Sequence, residues 1–190
     1  MPLTWEASSQ IPGDLTAFSV GLFEDFLKQA PAKPFLAYIA LSTNHVPHYA
    51  LPQWYHAYTD ALGKPAGDYL GSLSQMDDSL GGLRRLLQSH GIADNTMVWF
   101  STDNGPHTVA DPASLNPESS ARSGGQLAAT NGLRQCKASV FEGGIRVPGF
   151  ISWPRMVGAA SKRTSHVSSS LDFFATVSEI LGVPHPRPEW

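Results

Sequence analysis

The sequence predicts an α/β fold, a largely parallel sheet flanked by helices, and three stretches predict it. Phe35-Leu36-Ala37-Tyr38-Ile39-Ala40-Leu41 is a short, continuously apolar run bounded by Pro34 and a polar turn. Thr96-Met97-Val98-Trp99-Phe100-Ser101 is a second such run. Runs of this length without alternation suit strands buried on both faces, as in parallel sheets covered by helices. Between them Tyr69, Leu73, Met76, Leu80, Leu83 and Leu87 recur at helical spacing. They mark an amphipathic helix over 67–90 with Gly91 as its left-handed stop. Strand, long helix, strand makes a right-handed βαβ unit the default connection.

The remaining elements follow in order. Asp14 can cap a helix whose apolar positions are Leu15, Phe18, Leu22, Phe23 and Phe26, ending before Pro31 and Pro34. Residues 49–67 read as irregular, with Trp54, Tyr55 and Tyr58 as packing aromatics. Asp94-Asn95 makes a turn into the second strand. Residues 106–130, rich in Ser, Pro, Gly, Ala and Asn, read as a long surface loop. Ile145 to Trp153 is a third strand region. Ser170 caps a last helix with Leu171, Phe174, Val177 and Leu181 inward and Gly182 as its stop. Residues 184–190 form a proline-rich tail.

With 190 residues, 42% hydrophobic and 15% charged, the composition is that of one globular domain with a real core. A net charge of −3 with no basic block argues against a nucleic-acid surface. The single cysteine, Cys136, allows neither a disulfide framework nor a cysteine zinc site. No apolar run approaches the roughly 20 residues that cross a bilayer, so no transmembrane segment is expected. No signal peptide is visible at the first residues.

In parallel sheets ligands gather beyond the carboxyl ends of the strands. Here those ends carry His45 and Asp103-Asn104-Gly105, which places two polar loops on one sheet edge. Asp103 and Asn104 offer a carboxylate and an amide carbonyl, hard donors suited to Ca²⁺ or Mg²⁺. Taken alone, Asp-Asn-Gly is a common turn. His45 is either a satisfied loop histidine or a donor to an anionic oxygen, since its pKa can sit near neutrality. His48 has no comparable argument, and His56, His90, His107, His166 and His185 read as surface or capping residues. Lys137 precedes Phe141-Glu142-Gly143-Gly144, a tight glycine turn, and could neutralise a sulfate or phosphate there. Cys136 lies beside it in what reads as an extended segment, where neighbours point apart, and is taken as inert. Asp77-Asp78 falls off the helix stripe; adjacent residues point about 100° apart, so the pair reads as solvated face.

These blocks resemble the sulfatase family. Residues 91–105, Gly-Ile-Ala-Asp-Asn-Thr-Met-Val-Trp-Phe-Ser-Thr-Asp-Asn-Gly, are similar to its segment in which Asn-Thr and a hydrophobic strand lead to Asp-Asn-Gly. Leu133-Arg134-Gln135-Cys136-Lys137 followed by Phe141-Glu142-Gly143-Gly144-Ile145-Arg146-Val147-Pro148 resembles its second block, L-R-x-x-K then E-G-G-x-R-V-P. Pro34-Phe35 through His45-Val46-Pro47 is similar to its strand ending in H-x-P. Ser165-His166-Val167 and Leu171 to Thr176 match a later block, with Ala175 where proline is usual. The resemblance covers roughly residues 14–183, and the two central blocks together are specific.

The resemblance implies an alkaline-phosphatase-like fold and a sulfuric ester hydrolase of the arylsulfatase type. Asp103 and Asn104 would then be ligands of an active-site Ca²⁺, in preference to Mg²⁺. Lys137 would hold the sulfate, and His45 would contact it and protonate the departing alcohol oxygen. The family's nucleophile, a formylglycine hydrate made from cysteine, lies in a C-x-P-x-R motif that this sequence lacks, as it lacks the family's upstream pair of aspartates. The chain therefore reads as part of a single sulfatase catalytic domain, with the nucleophile-bearing segment missing, the sheet incomplete, and no activity alone. The expected substrate is a sulfated small molecule or glycan, and the expected compartment lysosomal or secreted. The competing readings are a phosphate or phosphonate ester hydrolase of the same superfamily and a non-catalytic sulfatase-like binding fragment.

Overall fold

The structure is a computed structural model that describes residues 12–29, 33–45, 48–62, 64–107, 130, 132–158 and 162–184. It divides into two compact units, Met1–Gly158 and Ala159–Trp190.

In the first unit, helix α1 spans Pro12–Gln29. Its proline stands at the first helical position, where a missing N–H costs nothing, and it ends ahead of Pro31 as the sequence predicts. Phe23 and Leu27 on α1 are buried against Leu87 of the long helix, and Phe35, Ile39, Leu83, Leu86, Ile92 and Val98 pack around them. The rings of Phe23, Phe26 and Phe35 lie 5.5–6.3 Å apart, centre to centre. Burial of each large side chain contributes about 2 kcal/mol, and this cluster is the apolar core of buried residues in the unit.

Helix α2, Pro52–Leu62, forms where the sequence reads as irregular. Trp54, Tyr55 and Tyr58 share one half-buried face of it, turned to helix α3, Lys64–Ser89. The pattern escapes a periodicity reading because Trp, Tyr, His and Thr are only moderate helix formers; packing on α3 decides the matter. At Gly71 the two helices approach so closely that an added methyl would lie 2.6 Å from Ala50 Cβ and 3.0 Å from the Trp54 carbonyl. The Tyr58 and Ser74 hydroxyls bond across the same contact at 2.7 Å. Helix α3 starts three residues earlier than expected and ends as predicted, with Gly91 at φ +68°.

The expected parallel sheet is not what the described residues form. Strand β1 is Val98–Ser101, and it pairs antiparallel with β2, Gly149–Ser152, in the register Val98↔Ser152 to Ser101↔Gly149. It starts two residues late because Thr96 Oγ1 bonds the Ile92 carbonyl at 2.8 Å and prolongs the 3-10 turn Ala93–Asn95. The third strand region is likewise shorter than predicted, since Glu142–Ile145 closes into a helical turn, α4. A second helical turn, α5, Pro154–Val157, follows β2. The run 35–41 is extended but is not a ladder strand. Phe35 and Ile39 face the core, while Leu36 is 75% and Tyr38 89% exposed. A strand buried on both faces needs a cover on each, and the described residues cover one.

In the second unit, helix α6 spans Ser170–Leu181. Ser169, one residue before the predicted cap, closes a capping box: its Oγ accepts from Leu171 N at 3.2 Å and its own N–H donates to Asp172 Oδ2 at 2.6 Å. Gly182 ends the helix at φ +65° as expected. Leu171, Phe174 and Leu181, expected inward, are exposed. A single helix has no second layer of its own on which to bury an apolar stripe.

Candidate active site

The first half of the site is the loop that follows the extended run. His45 N donates to the Ser42 carbonyl at 3.2 Å, which closes a turn through Asn44 at φ +73°. Left-handed backbone costs a residue with a Cβ of order 1 kcal/mol, and asparagine takes it most readily among them. Helix α3 holds this turn through Ser72 and Tyr69, and the chain after it, at Leu51, through Gln75. Ser72 Oγ donates to Asn44 Oδ1 at 2.8 Å, the Tyr69 hydroxyl hydrogen-bonds the Asn44 side chain, and Gln75 Oε1 accepts from Leu51 N at 3.0 Å. Burial raises the Tyr69 hydroxyl pKa, and the Asn44 bond partly offsets this. His48 sets its ring edge-on to Tyr69, with centroids 5.1 Å apart.

The second half joins the end of β1 to the glycine block. Gly105 N donates to the Gly144 carbonyl at 2.7 Å, and Lys137 N donates to the Pro106 carbonyl at 2.9 Å. Gly143 N in turn donates to the Arg134 carbonyl at 2.8 Å. A methyl group at Gly105 would overlap the Gly143 carbonyl oxygen, so the close approach requires glycine. Arg134 lays its guanidinium 3.7 Å from the centre of the Phe141 ring, a cation–π contact that braces the turn. Lys137 does not lie in the extended segment expected of it. Gln135 at φ +64° and Ala138 at φ +67° interrupt the extension, and residues 137 and 138 form a turn. Cys136 is half-buried, with its thiol 3.6 Å from the Lys137 carbonyl.

The structure thus brings Asp103, Asn104 and Lys137 into two hydrogen-bonded loops. Asp103 is exposed, and Asn104 and Lys137 are half-buried. His45 is exposed and closes the extended run, though that run is not a sheet strand. His48 feels charge from both loops. Burial lowers the His48 pKa, His107 and His45 lower it further, and Asp68 opposes them. Both His48 ring nitrogens are buried without a hydrogen-bond partner among the described residues. His107 is exposed, as its surface reading expects, and His48, for which the sequence offers no argument comparable to that for His45, is the half-buried one. The sequence signal for His107 is its place two residues after Asp-Asn-Gly; for His48 it is the spacing His-x-x-His after His45.

Asp103 and Asn104 fit a calcium ion in kind, as a carboxylate and an amide oxygen, but not in number, because Ca²⁺ takes about 6–8 oxygens. Among the described residues no group of three or more His, Cys, Asp or Glu side chains could hold a metal. The greater part of the predicted long loop, 108–129, and the tail from 185 lie outside the described residues, as does His185.

The family model described as Sulfatase matches residues 5–183. The chain belongs to the sulfatase family. It is 34% identical over 164 residues to human steryl-sulfatase, covering 85% of this chain and 25% of that protein. It is 34% identical over 166 residues to human N-acetylgalactosamine-6-sulfatase, covering 85% of this chain and 28% of that one. Among solved structures it is similar to Ps i-CgsB in complex with k-i-k-neocarrahexaose, with TM-score 0.72 and 27% identity over 92% of this chain and 35% of the other. It is also similar to the PsFucS1 sulfatase from Pseudoalteromonas sp., with TM-score 0.67 and 26% identity, covering 94% of this chain and 31% of that one. These sulfatases share the alkaline-phosphatase-like fold expected from the sequence blocks. The sulfatase chain described here spans about a quarter of the length of the curated relatives it matches.

Proposed function

We propose that this chain carries part of the active site of a sulfuric ester hydrolase. Lys137 holds the sulfate through charge-assisted hydrogen bonds. His45 contacts the same group and donates a proton to the departing alcohol oxygen. Asp103 and Asn104 supply two ligands of a Ca²⁺ ion, which when bound would neutralise charge on the sulfate oxygens. The nucleophile, a formylglycine, comes from a segment outside these 190 residues.

One observation carries the reading. Asn44, Gln135 and Ala138 are the left-handed non-glycine positions among the described residues, and every one lies within two residues of His45 or Lys137. Backbone strain of this kind persists where the surroundings over-determine it, and it concentrates at functional sites. Two relatives bear the names of a steryl and an N-acetylgalactosamine-6 sulfatase. A sulfate ester, on a small molecule or glycan, is therefore favoured over a phosphate or phosphonate ester. We place the protein in a lysosomal or secreted compartment; no described helix is long and apolar enough to cross a membrane.

The test is hydrolysis of an aryl sulfate by the full natural protein and its Lys137→Ala variant. Loss of a charged donor to the anion should lower kcat/KM by about 100-fold or more. Unchanged kcat/KM would overturn the reading. The 190-residue chain by itself should give no turnover, and turnover by it would overturn the placement of the nucleophile elsewhere.

A further inference from the structure

The geometry points to Asn44 as a positioning residue for His45, clamped to helix α3 so that the imidazole leaves the loop in one direction. The inference rests on the proton-donor role proposed for His45.

Asn44 uses both backbone and side chain for this. Its backbone makes the left-handed turn at φ +73°, immediately before His45. Its side chain is held at Oδ1 by Ser72 and bonded to the Tyr69 hydroxyl. Ser72 is 1% exposed, the only large or small side chain among the described residues that is buried to that degree, so its hydroxyl has no water to turn to. Its Oγ lies 2.8 Å from Asn44 Oδ1, 28 residues away in sequence, and 2.8 Å from the Tyr69 carbonyl one turn back in its own helix. A turn that needed only left-handed backbone would be served by glycine and would leave Ser72 with the Tyr69 carbonyl alone. The His45 N–H is itself tied to the Ser42 carbonyl, so the Asn44–His45 peptide is held while the imidazole stays exposed. Tyr69 meets the loop twice, with its hydroxyl at Asn44 and its ring at His48. An acid catalyst needs this kind of support, because a displacement of about 1 Å can cost 100-fold in rate.

The experiment compares an alkyl sulfate with a nitrophenyl sulfate in the full natural protein. Proton donation matters most where the departing oxygen is most basic. Asn44→Ala, Asn44→Gly and Ser72→Ala should each lower kcat/KM about 10-fold or more on the alkyl ester and less than about 3-fold on the nitrophenyl ester. Asn44→Asp keeps an acceptor for Ser72 and should recover most of the loss. Equal losses on both esters, or full activity in Asn44→Gly, would overturn the proposal. If Asn44→Ala does not fold, Ser72→Ala decides, since it leaves the loop sequence intact. His45→Ala runs in parallel. A loss in that variant that grows with leaving-group basicity upholds the role of His45 whatever Asn44 does. A loss equal on both esters overturns that role and the clamp with it.

Discussion

Two loops build the candidate site, and they are fixed by opposite means. The strand-end loop is locked backbone to backbone: Gly105 to Gly144, Lys137 to Pro106, Gly143 to Arg134. The histidine loop is held by side chains: Ser72 and Tyr69 on Asn44, Gln75 on Leu51. A backbone lock depends on what is missing, because carbonyls can approach that closely only where there is no Cβ. A side-chain clamp depends on groups that are present and can be removed one at a time. The first should therefore fail abruptly and the second by degrees.

Gly105→Ala should have the largest effect. Its methyl would overlap the Gly143 carbonyl oxygen, with Gly143 C at 2.9 Å and Gly144 Cα at 3.1 Å, all backbone atoms with no rotamer to change. Relief requires breaking the bond from Gly105 N to Gly144 O. We expect a loss of about 3 kcal/mol, the upper end for overpacking, read as a lower urea midpoint. A loss under about 0.5 kcal/mol, the size of an ordinary surface substitution, would show that the lock yields and that the two loops do not differ in kind.

Tyr69→Phe should do less. It removes one hydroxyl from Asn44 and keeps the ring that meets His48, while Ser72 still holds the same side chain. A single hydrogen bond of this sort contributes about 1 kcal/mol. A loss as large as that of Gly105→Ala would mean that the clamp acts as one unit, and the contrast would be withdrawn.

The same difference explains what could be read from the sequence. The two glycine blocks were legible as turns, Asp-Asn-Gly at a strand end and Phe-Glu-Gly-Gly after a lysine, but their closing on each other is read from the structure. Helix α3 and its Gly91 stop were legible too, because an apolar stripe states its own period. The clamp was not. Tyr69 sits on that stripe and counts as apolar, and nothing in Ser72 or Gln75 names a partner 24–28 residues away. Helix α2 stayed hidden because its aromatics carry the packing while its propensities are moderate. The antiparallel pairing of β1 with β2 was missed for a related reason: an apolar run declares burial, not which neighbour takes its edge.

The smallest expected effect is on pH dependence, and it tests whether the histidine loop is shut against water. Burial, then His107 and His45, hold the His48 imidazole below its ordinary pKa, with Asp68 in opposition. In the unfolded chain His48 titrates near the usual value of about 6.5. Below that pH the unfolded chain takes up a proton that the folded chain refuses. The stability tied to neutral His48 is thus fully present above the unfolded pKa and is lost as pH falls through the folded one. His48→Phe keeps an aromatic edge toward Tyr69 and removes the titration. The urea midpoint of the wild type should fall more steeply than that of His48→Phe as pH is lowered from about 6.5. The two proteins differ at one titratable side chain, so the difference between the two series reports on His48. Parallel slopes would mean that His48 accepts its proton without unfolding. The polar clamp on α3 would then be open to solvent, and the glycine lock would be the only rigid half of the site.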